Sequence, residues 1–356
     1  MQKQRNRVAD RTSPATAGTA QTAARPLLSV VIIGRNEGER LQRCLEAAAT
    51  MRRKRFAVEM IYVDSASVDD SVERAAAMGA RVIRLQSERP TAAAGRNAGW
   101  RAARGEYVLF VDGDAELHAD FAALALQVMQ RPEVAVVWGH RREKAPQQSW
   151  YVRVLDLDWV YAPGPSAFCG GDALMRRSVL EQSGGFDAGL IAGEEPELCR
   201  RIRACGHLIE HIDAPMTQHD LAITTFAAYW RRAVRAGHAY AEIALRCRGD
   251  DEPLWRAEAR RNLAHGALLL AAGPLAVALV MAAPVAAAPM TVLVIAALGR
   301  SARRCAWKSD DVKTRWLYAI HAHLQQIPIF CGQIAFHLNR RRGRRRTLIE
   351  YKNYST

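Results

Sequence analysis

The sequence lacks both a disulfide framework and the regular cysteine spacing of a structural metal site. Its seven cysteines are scattered and odd in number, and no two of them form a Cys-x-x-Cys pair. This pattern excludes a small disulfide-stapled scaffold and argues against structural zinc. Isolated cysteines are typical of a reducing compartment, so we expect the folded domain to be cytosolic.

The N-terminal region lacks a long apolar run. Residues 1–26 are basic and rich in Ala, Thr and Ser, without the hydrophobic segment that a secretory signal requires. We predict a disordered basic tail here. We divide the rest of the chain into a folded domain at 27–250, a helical hairpin with basic flanks at 251–316, and an amphipathic helix with a basic tail at 317–356.

Acidic residues are in the minority, with 36 Asp and Glu against 50 Lys and Arg and a net charge of +14. Such a balance suits nucleic acid, an anionic lipid surface or an anionic substrate. The basic residues are densest at 340–346, beside apolar segments, and no zinc-finger spacing or aromatic-rich RNA-binding signature accompanies them. We therefore expect anionic membrane lipids, and no nucleic acid, as partners.

Short apolar runs alternate with helical patterns between residues 27 and 111. The predicted strands are 27–33, 58–63, 81–85 and 107–111. This alternation is typical of an α/β fold, with a mostly parallel sheet flanked by helices. Ligands bind such sheets beyond the carboxyl ends of the strands. Because Gly34, Asp64 and Asp112 each fall at such an end, we expect three polar turns to meet along one edge.

Two carboxylates, Asp112 and Asp114, follow the strand at 107–111 and are separated by a glycine. Carboxylate oxygens are good ligands for Mg²⁺ or Mn²⁺, and such an ion can clamp a diphosphate. Asp-Gly-Asp also forms ordinary turns. The tripeptide alone therefore leaves both interpretations open.

Residues 267–298 carry no charged side chain, and prolines at 274, 284 and 289 interrupt them. One membrane crossing needs roughly 20 apolar residues. Basic residues flank both ends, which favours both ends lying on the cytoplasmic side. We predict a hairpin of two short helices or a re-entrant pair. One tilted helix and a buried hairpin of a soluble protein remain alternatives.

Residues 317–338 are apolar but contain three histidines and three glutamines, with Pro328 among them. We predict a kinked amphipathic helix in the membrane interface, which places the following arginines at lipid phosphates.

Seven motifs of the first 235 residues resemble, by their order and spacing, those of family-2 glycosyltransferases with the GT-A fold. The motifs are 29–37 (SVVIIGRNE), 62–71 (YVDSASVDDS), 94–99 (AGRNAG), 112–114 (DGD), 170–172 (GGD), 184–186 (GGF) and 193–195 (GEE). The apolar segments and the basic tail are similar to those of bacterial members that build surface or exocellular polysaccharides.

This resemblance implies metal-dependent, inverting transfer of a sugar from a nucleotide-diphosphate sugar. Asp112 and Asp114 would hold Mg²⁺ or Mn²⁺, and His219 would be a further ligand. The metal would neutralise the departing diphosphate. Glu195 matches the family's catalytic base, which takes the proton of the acceptor hydroxyl. Most members have Asp there, so this chain has a longer arm.

Further residues match the family's donor-binding positions. They are Asp64, Arg96, Glu37 and Asp112, together with Asp172 beside the donor sugar and acceptor. Local alternatives remain for several of them. Asp64 can form an Asx turn, Asp172 can belong to an ordinary loop, and Arg96 can be a solvated helix charge. His219 can be structural, and Glu195 can simply favour a helix N-terminus.

The Gln-x-x-Arg-Trp motif and the many membrane helices of the family's processive synthases are not visible. We therefore expect transfer of a single sugar to a membrane-held acceptor, such as a lipid-linked oligosaccharide, on the cytoplasmic face of a bacterial inner membrane. Two alternatives remain. One is a nucleotidyltransferase on a related sheet, and the other is a non-catalytic membrane scaffold with a vestigial transferase fold.

Overall fold

The computed structural model describes residues 27–52, 56–86, 90–250 and 252–343. The predicted tail at 1–26 and the last part of the basic segment, 344–356, lie outside the described residues.

The strands alternate with helices over the first half of the described chain. The strands are β1 (Leu27–Gly34), β2 (Ala57–Asp64), β3 (Arg81–Arg84), β4 (Tyr107–Asp112), β5 (Ala115–Leu117), β6 (Val134–Glu143), β7 (Gly164–Pro165), β8 (Ala173–Arg176) and β9 (Leu208–His219). The helices of this part are α1 (Glu39–Thr50), α2 (Ser71–Ala77), α3 (Ala92–Ala102), α4 (Phe121–Val128), α5 (Trp150–Asp158), α6 (Arg177–Ser183) and α7 (Glu194–Ala204).

The second half is helical. Its helices are α8 (Phe226–Arg246), α9 (Arg256–Ala282), α10 (Ala287–Arg304), α11 (Val312–Leu324) and α12 (Gln326–Arg341). Short 3₁₀ turns occupy Pro284–Ala286 and Ala306–Lys308.

One sheet contains all of these strands, in the order β3-β2-β1-β4-β8-β6-β9-β5, with β7 on β9. The first four strands are parallel, as predicted from the helical crossovers between them. Beyond β4 the sheet is mixed, because β8 runs antiparallel to both of its neighbours. The parallel character is therefore confined to one half of the sheet and to the β6–β9 pair.

The register of the parallel strands brings their polar ends together. Gly34 pairs with Asp64 across β1 and β2, and Ile33 pairs with Asp112 across β1 and β4. The interiors of β1 and β4 are buried and, apart from Ser29, apolar, so they fix the height at which each strand ends. The expected meeting of these turns along one edge is confirmed.

The C-terminal helices differ from the single interfacial helix expected at 317–338. The segment forms two helices, α11 and α12, and α12 packs against α8. A β-carbon on Gly237 would lie 2.0 Å from the Ile329 carbonyl oxygen, and one on Gly332 would lie 2.1 Å from the Val234 carbonyl oxygen. Only glycine allows two helix backbones to approach this closely. The helix α12 is therefore joined to the domain at 27–250 along part of its length.

The helices α9 and α10 extend from the domain with apolar side chains exposed. The helical run is interrupted between them by the 3₁₀ turn that begins at Pro284, one of the three prolines expected to interrupt the segment. By length and composition, α9 is the one described helix that is apolar enough to cross a membrane, with a mean hydropathy of 2.0. Side chains near the break are almost fully accessible, for example Val285 at 85%.

Candidate active site

A cleft of about 410 Å³ opens at the carboxyl ends of β1 and β4. Its wall is built from the turn after β1, the turn after β4, the start of α7 and one face of α8. The polar and charged side chains on it are Arg35, Glu37, Ser65, Thr91, Arg96, Asp112, Asp114, Arg141, Glu194, Glu195, Arg232 and Arg235. Charges of both signs therefore line one concave surface.

Four side chains that could bind a metal ion lie together: Asp112 and Asp114 line the cleft, and Asp172 and His219 are buried beside them. Asp112, Asp172 and His219 offer ligand atoms that all lie within 4.8 Å of one another. The Oδ1 atom of Asp114 lies 3.5 Å from His219 Nδ1. The structure thus brings together the three predicted ligands and adds Asp172, which the resemblance assigned to the donor sugar and acceptor.

Asp172 is buried and uses both of its carboxylate oxygens. Its Oδ1 accepts the Asp112 backbone N–H at 2.8 Å, and its Oδ2 accepts the Thr217 hydroxyl at 2.8 Å and lies 2.9 Å from His219 Nε2. Burial acts to raise the pKa of Asp172, but His219 and Arg141 outweigh it and hold that pKa below its usual range. The carboxylate is therefore a charged anchor for the turn after β4.

Arg96 on α3 is 2% exposed and joins three acidic groups. Its guanidinium lies 2.8 Å from Asp112, 3.0 Å from Glu194 and 3.1 Å from Glu195. A β-carbon on Gly171 would fall 2.3 Å from Arg96 Nη2, so a glycine is needed beside it. The burial excludes the alternative of a solvated helix charge.

Glu195 lies in the first turn of α7 and reaches the cleft wall. Burial and the neighbouring Glu194 raise the pKa of Glu195, and although Arg96 opposes them the pKa reaches about 7. A carboxylate with a pKa near neutrality is suited to accept a proton from a hydroxyl group.

Asp64 and Glu37 lie at the β1–β2 side of the cleft. The Asp64 carboxylate accepts the Tyr62 hydroxyl at 3.2 Å and the Ser67 backbone N–H at 3.0 Å, and the neighbouring Ser65 forms the cleft wall. Asp64 thus bonds the backbone of its own turn, although three residues on rather than the two of an Asx turn. Glu37 lines the cleft and pairs with Arg40 at 3.1 Å. The donor contacts of both residues stay predictions.

Sequence reasoning missed Arg141 and Trp159. Arg141 Nη2 lies 2.9 Å from His219 Nδ1 and 3.9 Å from Asp112 Oδ2, and the guanidinium carbon lies 4.2 Å from the centre of the Trp159 ring. Arg141 is in β6, whose pairing with β9 brings it beside the cluster. The sequence offered no usable signal for Arg141, because the pairing of β6 with β9 is irregular between His140 and Arg141 and the simple alternation of a strand does not hold there.

Comparison with known proteins gives a family match for the first half of the chain. Residues 29–184 match the family model described as Glycosyl transferase family 2. Glycosyltransferase AglE of Haloferax volcanii is 28% identical over 123 residues, which are 33% of this chain and 40% of that protein. The O-antigen biosynthesis protein RfbC of Myxococcus xanthus is 28% identical over 225 residues, 58% of this chain and 17% of that protein. The chain thus spans less than half the length of these curated relatives.

A solved structure resembles most of the chain. It is the mannosyltransferase PcManGT from Pyrobaculum calidifontis, in complex with GDP-Man and Mn²⁺. The TM-score is 0.63 at 20% identity, over 89% of this chain and 88% of that one. At this identity the likeness establishes the fold, and the predicted α/β fold of the GT-A type is confirmed.

Proposed function

We propose that this chain, whose residues 29–184 match the Glycosyl transferase family 2 model, moves one sugar from a nucleotide-diphosphate sugar to a membrane-held acceptor, with inversion at the anomeric carbon. The observation that carries the proposal is a cleft lined by Asp112, Asp114 and Glu195, with the buried Asp172 and His219 in contact with the two aspartates. The cluster provides a cation site, and Glu195 provides a proton acceptor.

The donor atoms of the cluster fit a hard divalent ion. Carboxylate oxygens suit Mg²⁺ and Mn²⁺, and one imidazole nitrogen completes the set. When bound, such an ion neutralises the charge that develops on the departing diphosphate. Arg96, held by three carboxylates, supplies a fixed positive charge beside the same position.

The chain's own residues then act on the acceptor. Glu195 would take the proton of the acceptor hydroxyl as that oxygen attacks the anomeric carbon. Its pKa of about 7 leaves a large part of the population ionised at neutral pH while keeping it basic enough to accept a proton. Loss of the proton to Glu195 and departure of the nucleoside diphosphate balance the reaction.

Helix α8 supports a membrane-held acceptor. Arg232 and Arg235 on this helix line the cleft, and its other side packs against α12 and α9. An acceptor anchored in lipid beside α9 would reach the cleft along α8, where arginine suits a phosphate group. Basic residues at both ends of the hairpin favour a cytoplasmic position for the catalytic domain.

The test is a panel of nucleotide sugars incubated with the full-length protein in vesicles that contain a bacterial lipid extract. We expect one donor to release its nucleoside diphosphate in the presence of Mn²⁺ or Mg²⁺ and to stop doing so in EDTA. An Asp114→Asn variant should be inactive, and Asp213→Asn, at an exposed carboxylate outside the cleft, should be active. Release of pyrophosphate from a nucleoside triphosphate would indicate a nucleotidyltransferase, and no turnover with any donor would overturn the proposal.

A further inference from the structure

We propose that Arg141 competes with the divalent cation for His219 and turns to the donor diphosphate once the cation binds, so that this side chain couples cation binding to donor binding. The inference rests on the proposed function, because it needs both a cation and a diphosphate at this end of the cleft.

The first step is the orientation of the His219 ring. Arg141 donates a hydrogen bond to Nδ1, because a guanidinium has donors only. In the tautomer that this contact requires, the ring proton is on Nε2, which donates to Asp172 Oδ2 at 2.9 Å. Burial and Arg141 act to lower the pKa of His219, but Asp114 and Asp172 outweigh them and raise it to about 9, so a cation at this nitrogen also competes with a proton. Metal-binding histidines typically donate their second ring N–H to a carboxylate in this way. Asp172 thus orients the ring. Nδ1 faces Asp114 and is the nitrogen that an ion would use after displacing Arg141.

The second step is that the positively charged guanidinium of Arg141 already occupies the lone pair of His219 Nδ1. Arg141 Nη2 lies 2.9 Å from Nδ1 and 3.9 Å from Asp112 Oδ2, so it lies between two of the ligands. A guanidinium remains charged at any accessible pH. A divalent ion that uses Nδ1 must therefore displace Arg141, both to free the lone pair and to avoid repulsion between like charges.

The third step is the place to which Arg141 can move. Its guanidinium lies 4.2 Å from the centre of the Trp159 ring, and both side chains line the cleft. A flat aromatic face holds a cation without fixing its hydrogen bonds, so the group can turn and keep this contact. The buried Nε atom has no hydrogen-bond partner among the described residues. A diphosphate on the ion would give the displaced guanidinium a bidentate partner.

The consequence is a linkage between two ligands. Cation binding alone costs the Arg141–His219 contact, and a diphosphate that arrives afterwards recovers that cost. Arg141 therefore weakens the binding of the cation alone and strengthens the binding of the nucleotide to the metal-loaded protein. Linkage makes this coupling the same in whichever order the two ligands bind.

The test measures Mn²⁺ binding by electron paramagnetic resonance, and UDP and GDP binding by calorimetry, on the full-length protein in detergent. Arg141→Gln should bind Mn²⁺ alone at least about fivefold more tightly and, at saturating Mn²⁺, should bind the preferred nucleotide at least about fivefold more weakly. Arg141→Lys keeps the charge and should lie nearer to the parent in both assays. Arg104→Gln removes the same charge from a side chain that is 74% exposed and should change neither.

The outcomes separate this inference from the proposed function. If the parent binds Mn²⁺ and Arg141→Gln binds it equally or more weakly, the competition is wrong and the proposed function stands. If Arg141→Gln binds Mn²⁺ more tightly but keeps its nucleotide affinity, the coupling is wrong. A parent protein that binds no Mn²⁺ overturns both. Matching melting curves for Arg141→Gln and Arg141→Lys show that each comparison is made on folded protein.

Discussion

The cleft and the α9–α10 hairpin depart from the usual distribution of side chains in opposite directions. In the cleft and directly beside it, charged groups are buried: Arg96, Asp114, Asp172, Glu194 and His219 are each less than 5% exposed. In the hairpin, apolar groups are exposed, with Leu275 at 70% and Met281 at 79%. Buried charge and exposed apolar surface are the two observations that most often mark a binding site.

The two departures indicate two different kinds of partner. The buried charges are paired around a cavity. This pairing makes their burial tolerable without a ligand, and their arrangement suits a small ionic ligand. Residues 267–298 of the hairpin carry no charged side chain and basic residues flank them on both sides, a pattern that suits a lipid bilayer with anionic headgroups. Binding in the cleft should therefore depend on the exact positions of the charged groups, whereas binding through the hairpin should depend on its hydrophobicity and length.

Glu195→Gln is the substitution from which we expect the largest effect, because Glu195 is the proposed proton acceptor and glutamine cannot accept the proton. The change preserves size and removes basicity, so transfer should fall by about 10²–10⁴-fold while donor binding persists. Initial rates with the preferred donor, together with nucleotide titration, measure the two effects separately.

The matched control is Glu194→Gln, since both carboxylates contact Arg96 Nη1 at nearly equal distances. Glu194 is the more buried of the two, and we expect it to act only through the position of Arg96. A smaller loss of activity should follow. If Glu194→Gln were the more damaging change, the base would be assigned to the wrong residue.

Leu275→Asp tests the hairpin. A new charge there should weaken partition into lipid, whereas a new charge on the surface of the catalytic domain should not. A carboxylate within an apolar membrane helix costs about 3 kcal/mol, which corresponds to roughly a hundredfold weaker partition. Co-sedimentation with anionic vesicles measures it. Val68→Asp changes an apolar residue of the catalytic domain that is 90% exposed and should leave partition unchanged. Equal effects of the two would show that the hairpin has no special relation to lipid.

The pH dependence of transfer should report Glu195 from the cleft side of the comparison. Burial and Glu194 raise its pKa to about 7, so protonation removes the base as the pH falls through that value. At pH 6 the rate should be about a tenth of its plateau, with unit slope below the pKa. The measurement is the initial rate at saturating donor and Mn²⁺ between pH 5.5 and 8.5. A flat profile across pH 7 would contradict this role.

Sequence reasoning located the groups that lie at strand ends. A parallel sheet dictates that Gly34, Asp64 and Asp112 reach one edge, and periodicity is enough to infer such a sheet. The family motifs supplied Asp172 and Glu195, which lie on loops and a helix start that no local pattern would connect to the edge. Their proximity to the cluster depends on the mixed half of the sheet.

Arg141 and the position of α12 could not be obtained in this way. Arg141 reaches His219 only because β6 pairs with β9, and the register of that pair contains irregularities that no alternation rule predicts. The apolar pattern of α12 suits lipid and protein equally. Its contact with α8 depends on Gly237 and Gly332 facing each other's backbones, a match between two distant segments that becomes visible only in three dimensions.

The junction between the two regions should give the smallest effect of the set. Tyr318 on α11 donates its hydroxyl to Asp158 Oδ1 at 2.9 Å, beside Trp159 of the cleft wall. Tyr318→Phe removes one hydrogen bond to a carboxylate and keeps the ring, so the free energy of unfolding should fall by about 1.5 kcal/mol. Denaturant unfolding in detergent measures this change, and Tyr161→Phe, which leaves the Asp158 contact intact, is the control. Transfer activity should persist, because Tyr318 does not line the cleft and the substitution keeps Asp158 beside Arg232 of the cleft wall. A large loss of activity with unchanged stability would mean that the junction controls the cleft, and the two regions would then have to be treated as one functional unit.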